Sequence, residues 1–557
     1  MEDPIIPICN RPSLLIATAP LLGLLIAAAP PRMPAPSSIR LSAYIDARAA
    51  EIQGDEARSA RIYAAMAAAD PADQMIARRA VAAAIQSGQA DLAVSLSRRL
   101  KPSELPVDAR LMLAADALRR GKSGEAIAEL ERGATSTEVE LFAPMLRAWD
   151  HTARGRSDGI ASLTMLNANS PLGAVADQQR AAMLFVLGKP DEALPIATRV
   201  VTRNGGRNAR LRLAYADALQ RLGRTEAARA MLDGDDQALV AGRALLAARR
   251  PLGAAIATPA AGFAELLVAL AVDLGRDENK ALPISLTQVA RHADPGSSEA
   301  TLLLGLLLNG DKRDDDALAV LATIPAADPL SGDALDLETQ LLSDAKQFDA
   351  ALKRARAATA SPAAGAADFG RLGAIYADME RHGDAAAAYA DAVKRSPANS
   401  WTMRLLRAAS LEQIDRWPEA RTELETALRT EPDNAVLLNF LGYGKLERGE
   451  DLDAAEAMIR KASALKPDDA SITDSLGWAM YKRGRLPEAV ATLTRAAAGD
   501  PGQAEIHEHL GDALFASGRR IEARFSWSAA LLTAEDKTKA RLQGKLDAGL
   551  TAATAAP

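Results

Sequence analysis

The chain holds 557 residues, with 66 lysines and arginines against 72 aspartates and glutamates, and its side chains are 48% hydrophobic but only 4% aromatic. A net charge of −6 excludes a surface built to hold nucleic-acid phosphates non-specifically, which needs a positive field. The single cysteine, Cys9, excludes an intrachain disulfide and a cysteine-based metal site.

The first segment differs from everything after it. Residues 14–29, LLIATAPLLGLLIAAA, follow Arg11, carry no charge and end on Ala27, Ala28 and Ala29. The run is short for a membrane span and is weakened by Pro20 and Gly23. It suits the apolar core of a secretory signal with a small-residue cleavage zone, so residues 1–29 are expected to direct export. Glu2, Asp3 and Pro30 depart from the usual signal, which leaves an uncleaved anchor or a disordered, wrongly assigned start as the alternatives. Cys9 precedes the apolar run, whereas a bacterial lipoprotein needs its cysteine just after it; neither lipidation nor a membrane span after processing is expected. Residues 30–39 form a proline-rich linker that is not expected to be helical.

From residue 40 one pattern recurs. Windows open at Arg40, Gln74, Val107, Leu141, Ala174 and Ala209, then at Ala264, Ser298, Gly332, Ala366, Trp401, Ala435, Ala470 and Ala504. The window at Ala470 is the clearest: a helix with Leu476, Gly477 and Tyr481, a turn at Gly484, a helix with Ala489, Leu493 and Ala496, and a stop at Pro501. The twentieth position of a window faces the partner helix and is alanine in 11 of the 14, among them Ala93, Ala228, Ala454, Ala489 and Ala523. The fifteenth, where the turn wants a left-handed residue, is glycine in nine, among them Gly54, Gly88, Gly449 and Gly518.

This spacing is that of the tetratricopeptide repeat, in which small residues let two antiparallel helices approach closely. The resemblance implies an all-α, right-handed superhelical solenoid of about 14 helix pairs, with an array over 40–233 and a second over 264–535. Residues 234–263 break the spacing: a helix is expected near 237–249 and a loop over 251–259, as a hinge between half-arrays or a surface loop. At 536–557, Leu542, Leu546 and Leu550 recur every four residues, which suits a final helix covering the last repeat before a fraying tail.

No enzyme chemistry stands out. His507 and His509, two apart on a helix, point to different sides and cannot share a metal. Gly442, Gly444 and Gly449 follow no strand and belong to the repeat, not to a dinucleotide loop. No catalytic residue, cofactor, metal or small-molecule substrate is therefore expected, and an enzyme subunit is the disfavoured alternative class. The candidate site is the inner face of the first helices in the last three windows. There Asn439, Tyr443, Asp474, Trp478, Tyr481, Lys482, Asp512 and Phe515, beside Glu447, Glu505 and Glu508, combine rings with amide and charged groups, as a peptide-binding groove needs. Trp478 is expected in the groove, whereas Trp417 and Trp527 are expected in the seam between helices. Tyr481 and Phe515 fit either role.

The stretches LNFLGYGKLERGEDLDAAEAMIRKA, DSLGWAMYKRGRLPEAV and HEHLGDALFASGRRIEARFSWSAAL, between Leu438 and Leu531, resemble a narrower family. These are bacterial cell-envelope tetratricopeptide proteins, many of them outer-membrane lipoproteins. The resemblance implies an adaptor that binds a periplasmic carboxyl-terminal processing protease and brings it to cell-wall hydrolases. The alternative within the same fold is a cytoplasmic assembly or secretion factor.

Overall fold

The computed structural model describes residues 38–551 and 554, apart from 133–135, 164–170, 204–206, 362–363 and 397–399. The apolar run at 14–29, Cys9 and nearly all of the linker lie outside the described residues; Ser38, assigned to the linker, instead opens the first helix. The described residues form thirty α-helices and no strand.

The first array pairs α1 (Ser38–Ile52) with α2 (Glu56–Ala69), α3 (Gln74–Gln86) with α4 (Ala90–Ser97), and α5 (Val107–Arg119) with α6 (Ser123–Glu131). It continues with α7 (Ser136–Ala153) and α8 (Asp158–Leu163), α9 (Pro171–Val186) and α10 (Pro190–Arg203), and α11 (Asn208–Arg221) and α12 (Thr225–Met231). A lone helix, α13 (Gln237–Ala247), precedes α14 (Pro259–Leu274) with α15 (Ala281–Ala293), and α16 (Ser298–Gly310) with α17 (Asp314–Leu321). Then come α18 (Ser331–Asp344) with α19 (Phe348–Thr359), α20 (Ala366–Asp378) with α21 (His382–Arg395), and α22 (Trp401–Glu412) with α23 (Trp417–Thr430). The last pairs are α24 (Ala435–Glu447) with α25 (Leu452–Leu465), α26 (Ala470–Lys482) with α27 (Leu486–Gly499), and α28 (Ala504–Ala516) with α29 (Arg520–Thr533), before α30 (Asp536–Ala548). Each window thus becomes one helix pair, and the architecture is an all-α solenoid with a terminal capping helix.

The turn inside a pair depends on one left-handed residue. The nine glycines at the fifteenth position have φ between 66° and 82°. Five windows have no glycine there, yet in four of them Lys312, Lys346, Glu380 and Asp415 adopt φ of 56–61°. An L-residue pays roughly 1–2 kcal/mol for that conformation, so the packing of the two helices overrides the local preference. Arg249, at the end of α13, has φ 56° as well. The interrupting segment therefore begins with a first helix and its turn, and continues into a loop where a second helix would follow.

Close approach does the rest. A Cβ added to Gly477 on α26 would lie 2.7 Å from Leu493 Cγ on α27. Of the twentieth-position alanines, Ala93, Ala228, Ala489 and Ala523 are fully buried. Ala454 is an exception: the turn before α25 is one residue longer, Asp451 absorbs it at φ 43° and caps the helix, and Ala455 takes the buried place.

The two arrays do not meet at residue 263. Helices α14 and α15 lie against α3, α5, α7 and α9, across the first helices of the first array. Phe263, Leu266, Leu267, Leu286 and Val289 share one apolar cluster with Ile85, Met112, Leu146 and Met183. Gly262 permits the contact, since a Cβ there would stand 2.1 Å from the buried Trp149 ring, whose Nε1 donates to Gln179 Oε1 at 2.6 Å. Beside it Arg207 donates to Glu265 at 2.5 Å and to Glu299 at 2.8 Å, and Arg210 pairs with Glu299 at 3.1 Å. Burial alone would lower the Arg207 pKa, but the two carboxylates hold it above its ordinary value. At the other end Gln86 donates to Ser285 Oγ at 2.8 Å and to the Ala281 carbonyl at 2.5 Å.

A cut at 263 therefore uncovers Leu266, Leu267, Val268, Leu286 and Val289, each at most 4% exposed in the whole chain. A fragment beginning at Phe263 is expected to bind a hydrophobic dye and aggregate, and one beginning at Ser331 to stay soluble and helical by circular dichroism. Equal dye binding by the two fragments would show that α14 and α15 need no cover from the first array.

Candidate functional site

The first helices α22, α24, α26 and α28 stand side by side and enclose a cleft of about 190 Å³. Its lining comes mainly from window positions two, five and nine: Asn439 and Tyr443 from α24, Ser471 and Asp474 from α26, and Glu505 from α28. Glu412 from α22 stands at one edge, and Phe440 and Ile506 supply apolar wall. Two of the helices, α24 and α26, start on a side-chain cap: Asn434 accepts from the Val436 and Leu437 amides, and Asp469 from the Ile472 amide.

The cleft is a set of acceptors. Asp474 is 5% exposed; its Oδ2 accepts from His509 Nδ1 at 2.9 Å, and its Oδ1 is buried without a hydrogen-bond partner. Asn439 Oδ1 is likewise buried and unpartnered. Tyr443 donates its hydroxyl to Glu505 Oε1 at 3.2 Å. Burial first, and then the Glu505, Glu447 and Asp474 carboxylates, push the Tyr443 phenol far above its ordinary pKa. Burial pulls the His509 imidazole downward, but the Asp474 carboxylate, with Glu505 and Asp512 near it, leaves its pKa above the ordinary 6.5.

The eight residues expected in a groove divide into three groups. Asn439, Tyr443 and Asp474 do line the cleft. Trp478 does not: it is 1% exposed, stacked between His509 at 4.1 Å and Tyr481 at 4.6 Å, both at 14°, with Nε1 donating to Glu447 Oε1 at 2.6 Å. Lys482 covers the stack, 5.2 Å from the indole and 3.5 Å from Glu447. A large flat ring at that position gains more from stacking on the next helix than from facing water.

Asp512 and Phe515 belong to the end cap. Lys545 of α30 is fully buried and reaches Asp512 at 2.8 Å and Glu508 at 2.6 Å, while Arg541 reaches Glu508 at 2.8 Å. Asp512 also accepts from Trp527 Nε1 at 2.9 Å, and Phe515 lies 5.5 Å from that indole. The buried ammonium needs both carboxylates, so neither is free for a partner. Leu542 beside it is fully buried, and Leu546 and Leu550 pack on the same cluster. The cleft residues missing from the expected set are Glu412, Phe440, Ser471, Ser475, Gln503 and Ile506, and His509 supports the cleft from behind. The position rule alone could have found Ser471; His509 gave no signal until α26 and α28 were placed together.

Among the described residues no group of three or more histidine, cysteine or carboxylate side chains could hold a metal, and no helix is long and apolar enough to cross a membrane. Tetratricopeptide-repeat family models match residues 184–248, and 371–435, 441–504 and 475–537. Those segments are tetratricopeptide repeats, of a fold that typically serves as a scaffold without catalysis. Among curated proteins none matches. Similar solved structures include MamA, at 22% identity over 30% of this chain and 97% of that one, with a TM-score of 0.25. YrrB, described as a TPR protein with an unusual peptide-binding site, matches at 20% identity over 34% and 98%, with a TM-score of 0.27. The Cut9–Hcn1 structure of the APC/C matches at 14% identity over 93% and 97%, with a TM-score of 0.38.

Two outcomes follow from the stack. Trp478→Ala is expected to cost about 3–5 kcal/mol in chemical denaturation, as much as Trp527→Ala, because each leaves a ring-sized cavity. A melting curve unchanged by Trp478→Ala would refute the buried placement. For His509 the folded pKa is raised, so its stabilisation is complete below the unfolded value near 6.5 and is lost as pH rises through the folded value. The stability difference between the native chain and His509→Gln is therefore expected to shrink as pH rises from the unfolded value near 6.5 through the folded one; a difference that grows with pH reverses the sign and the assignment.

Proposed function

We propose that the chain is a non-catalytic protein-binding scaffold that takes partner segments on the first-helix face of its second array, at the cleft between α24, α26 and α28. Tetratricopeptide arrays act as protein-interaction scaffolds. The observation that carries the reading is a contrast along the chain: α14 and α15 cover first helices α3, α5, α7 and α9 of the first array, while α24, α26 and α28 carry an open cleft with two unpartnered buried acceptors. Extended peptide presents backbone and side-chain donors to such a face at regular spacing.

The setting we propose is the bacterial cell envelope, supported by the signal-like run at 14–29. The finer role, an adaptor between a carboxyl-terminal processing protease and cell-wall hydrolases, is supported by the motifs between Leu438 and Leu531 that resemble such proteins.

A photo-crosslinking residue at Tyr443, compared with one at the exposed Arg460 on α25, tests the scaffold face in the native cell. Crosslinks to a small set of proteins from Tyr443 and none of them from Arg460 are expected; the same products from both positions would overturn it. A protease or cell-wall enzyme in that set would support the adaptor role, and intact mass of the native protein reads the export step. A mass retaining residues 1–29 would refute cleavage, and a lipid adduct would refute the reading of Cys9.

A further inference from the structure

We propose that the cleft between α24, α26 and α28 receives one cationic side chain, lysine or arginine, carried by an extended segment of a partner protein. This rests on the reading of that face as the partner-binding face. Three carboxylates, Glu412, Asp474 and Glu505, line the cleft, and no lysine or arginine does.

Asp474 decides the sign. It is 95% buried by its 5% exposure, and His509 satisfies only Oδ2, from behind. Oδ1 has no hydrogen-bond partner, and Asn439 Oδ1, lining the same cleft, has none either. Native structures leave few buried acceptors unpaired, and a carboxylate oxygen beside an amide oxygen calls for a donor with positive charge. The surrounding charges agree. Arg448 is already paired to Glu412 at the cleft edge at 2.9 Å, and Lys482 to Glu447 outside the lining at 3.5 Å, so neither serves Asp474 or Glu505. Glu505 accepts from the Tyr443 hydroxyl, a neutral donor that leaves the carboxylate charge uncompensated. An anion entering here meets carboxylates, whereas an ammonium or guanidinium group meets acceptors.

The size indicates a side chain in place of a whole ligand. About 190 Å³ falls below the roughly 300–1,000 Å³ of small-molecule pockets. Phe440, Tyr443 and Ile506 offer apolar wall to the methylene stem that a lysine or arginine buries behind its charge.

The test uses the full chain and short random peptides displayed on phage, the enriched sequences being resynthesised with blocked ends and measured by fluorescence polarisation. Enriched peptides are expected to share a lysine or arginine whose replacement by norleucine weakens binding roughly thirtyfold. Glu505→Gln is expected to weaken the same peptides with an unchanged melting curve, and Asp474→Asn more strongly; should Asp474→Asn fail to fold, Asn439→Leu takes its place. Raising sodium chloride from about 0.05 M to about 0.5 M is expected to weaken binding by screening. If norleucine peptides bind as well while Tyr443→Ala abolishes binding, the face binds protein but the cationic assignment is wrong. If binding ignores Tyr443→Ala and Glu505→Gln together, the scaffold reading of this cleft falls as well. Displacement of the peptide by free cadaverine at the peptide's own concentration would overturn a protein source for the cation.

Discussion

Every helix pair depends on two chains of backbone coming close enough that only small side chains fit between them. The fifteenth residue of a window sets this up by turning the chain in the left-handed region, at φ 56–82° in thirteen of the fourteen windows (nine glycines and Lys312, Lys346, Glu380 and Asp415). Four of those residues pay a steric cost that glycine avoids. That they pay it shows where the energy lies: in the buried seam, where Ala351, Ala385 and Ala420 are fully covered, and not in the turn itself. A chain sealed in this way needs few aromatic residues, which is why a content of 4% suffices for a long ordered array.

The same close approach gives the two arrays different fates. In the first, Gly262 lets α14 come against Trp149, and the pair of α14 and α15 covers the first helices that a solenoid otherwise leaves exposed. The buried group of Arg207, Arg210, Glu265 and Glu299 is balanced in charge and ties three parts of the chain together. Buried ion pairs stabilise little, yet breaking one is costly, so the group fixes which helix lies where. Among the described residues after α15 no such pair folds back, and the first-helix face there carries the acidic cleft.

The cleft owes its shape to side chains turned away from it. Trp478 stacks under Tyr481 and His509, and this stack holds α26 against α28 while Asp474 spends one oxygen on His509. Past it, Lys545 draws Glu508 and Asp512 under the capping helix. Two acidic positions that repeat spacing alone assigns to a binding face thus become part of the end seal, and the unpartnered buried acceptors of the cleft lie on α24 and α26.

Sequence by itself determined the repeat, the helix pairs and the cap, because those rest on local rules: a small residue at a fixed interval, a turn residue tolerant of positive φ, a proline after the second helix, and a leucine stripe at 542, 546 and 550. It also put Asn439, Tyr443 and Asp474 on the face that bears the cleft, since position in the window fixes the face on which a side chain emerges. Three things were decided only in three dimensions. The return of α14 and α15 onto the first array joins residues 195 apart, such as Gln86 and Ala281, and no spacing within a window encodes it. The extra turn residue before α25 moved the seam from Ala454 to Ala455, because the backbone found a second left-handed residue at Asp451. Trp478 and Asp512 went inward because the neighbouring helices brought His509 and Lys545 to meet them, and a face position is exposed only when nothing on the next element fills it.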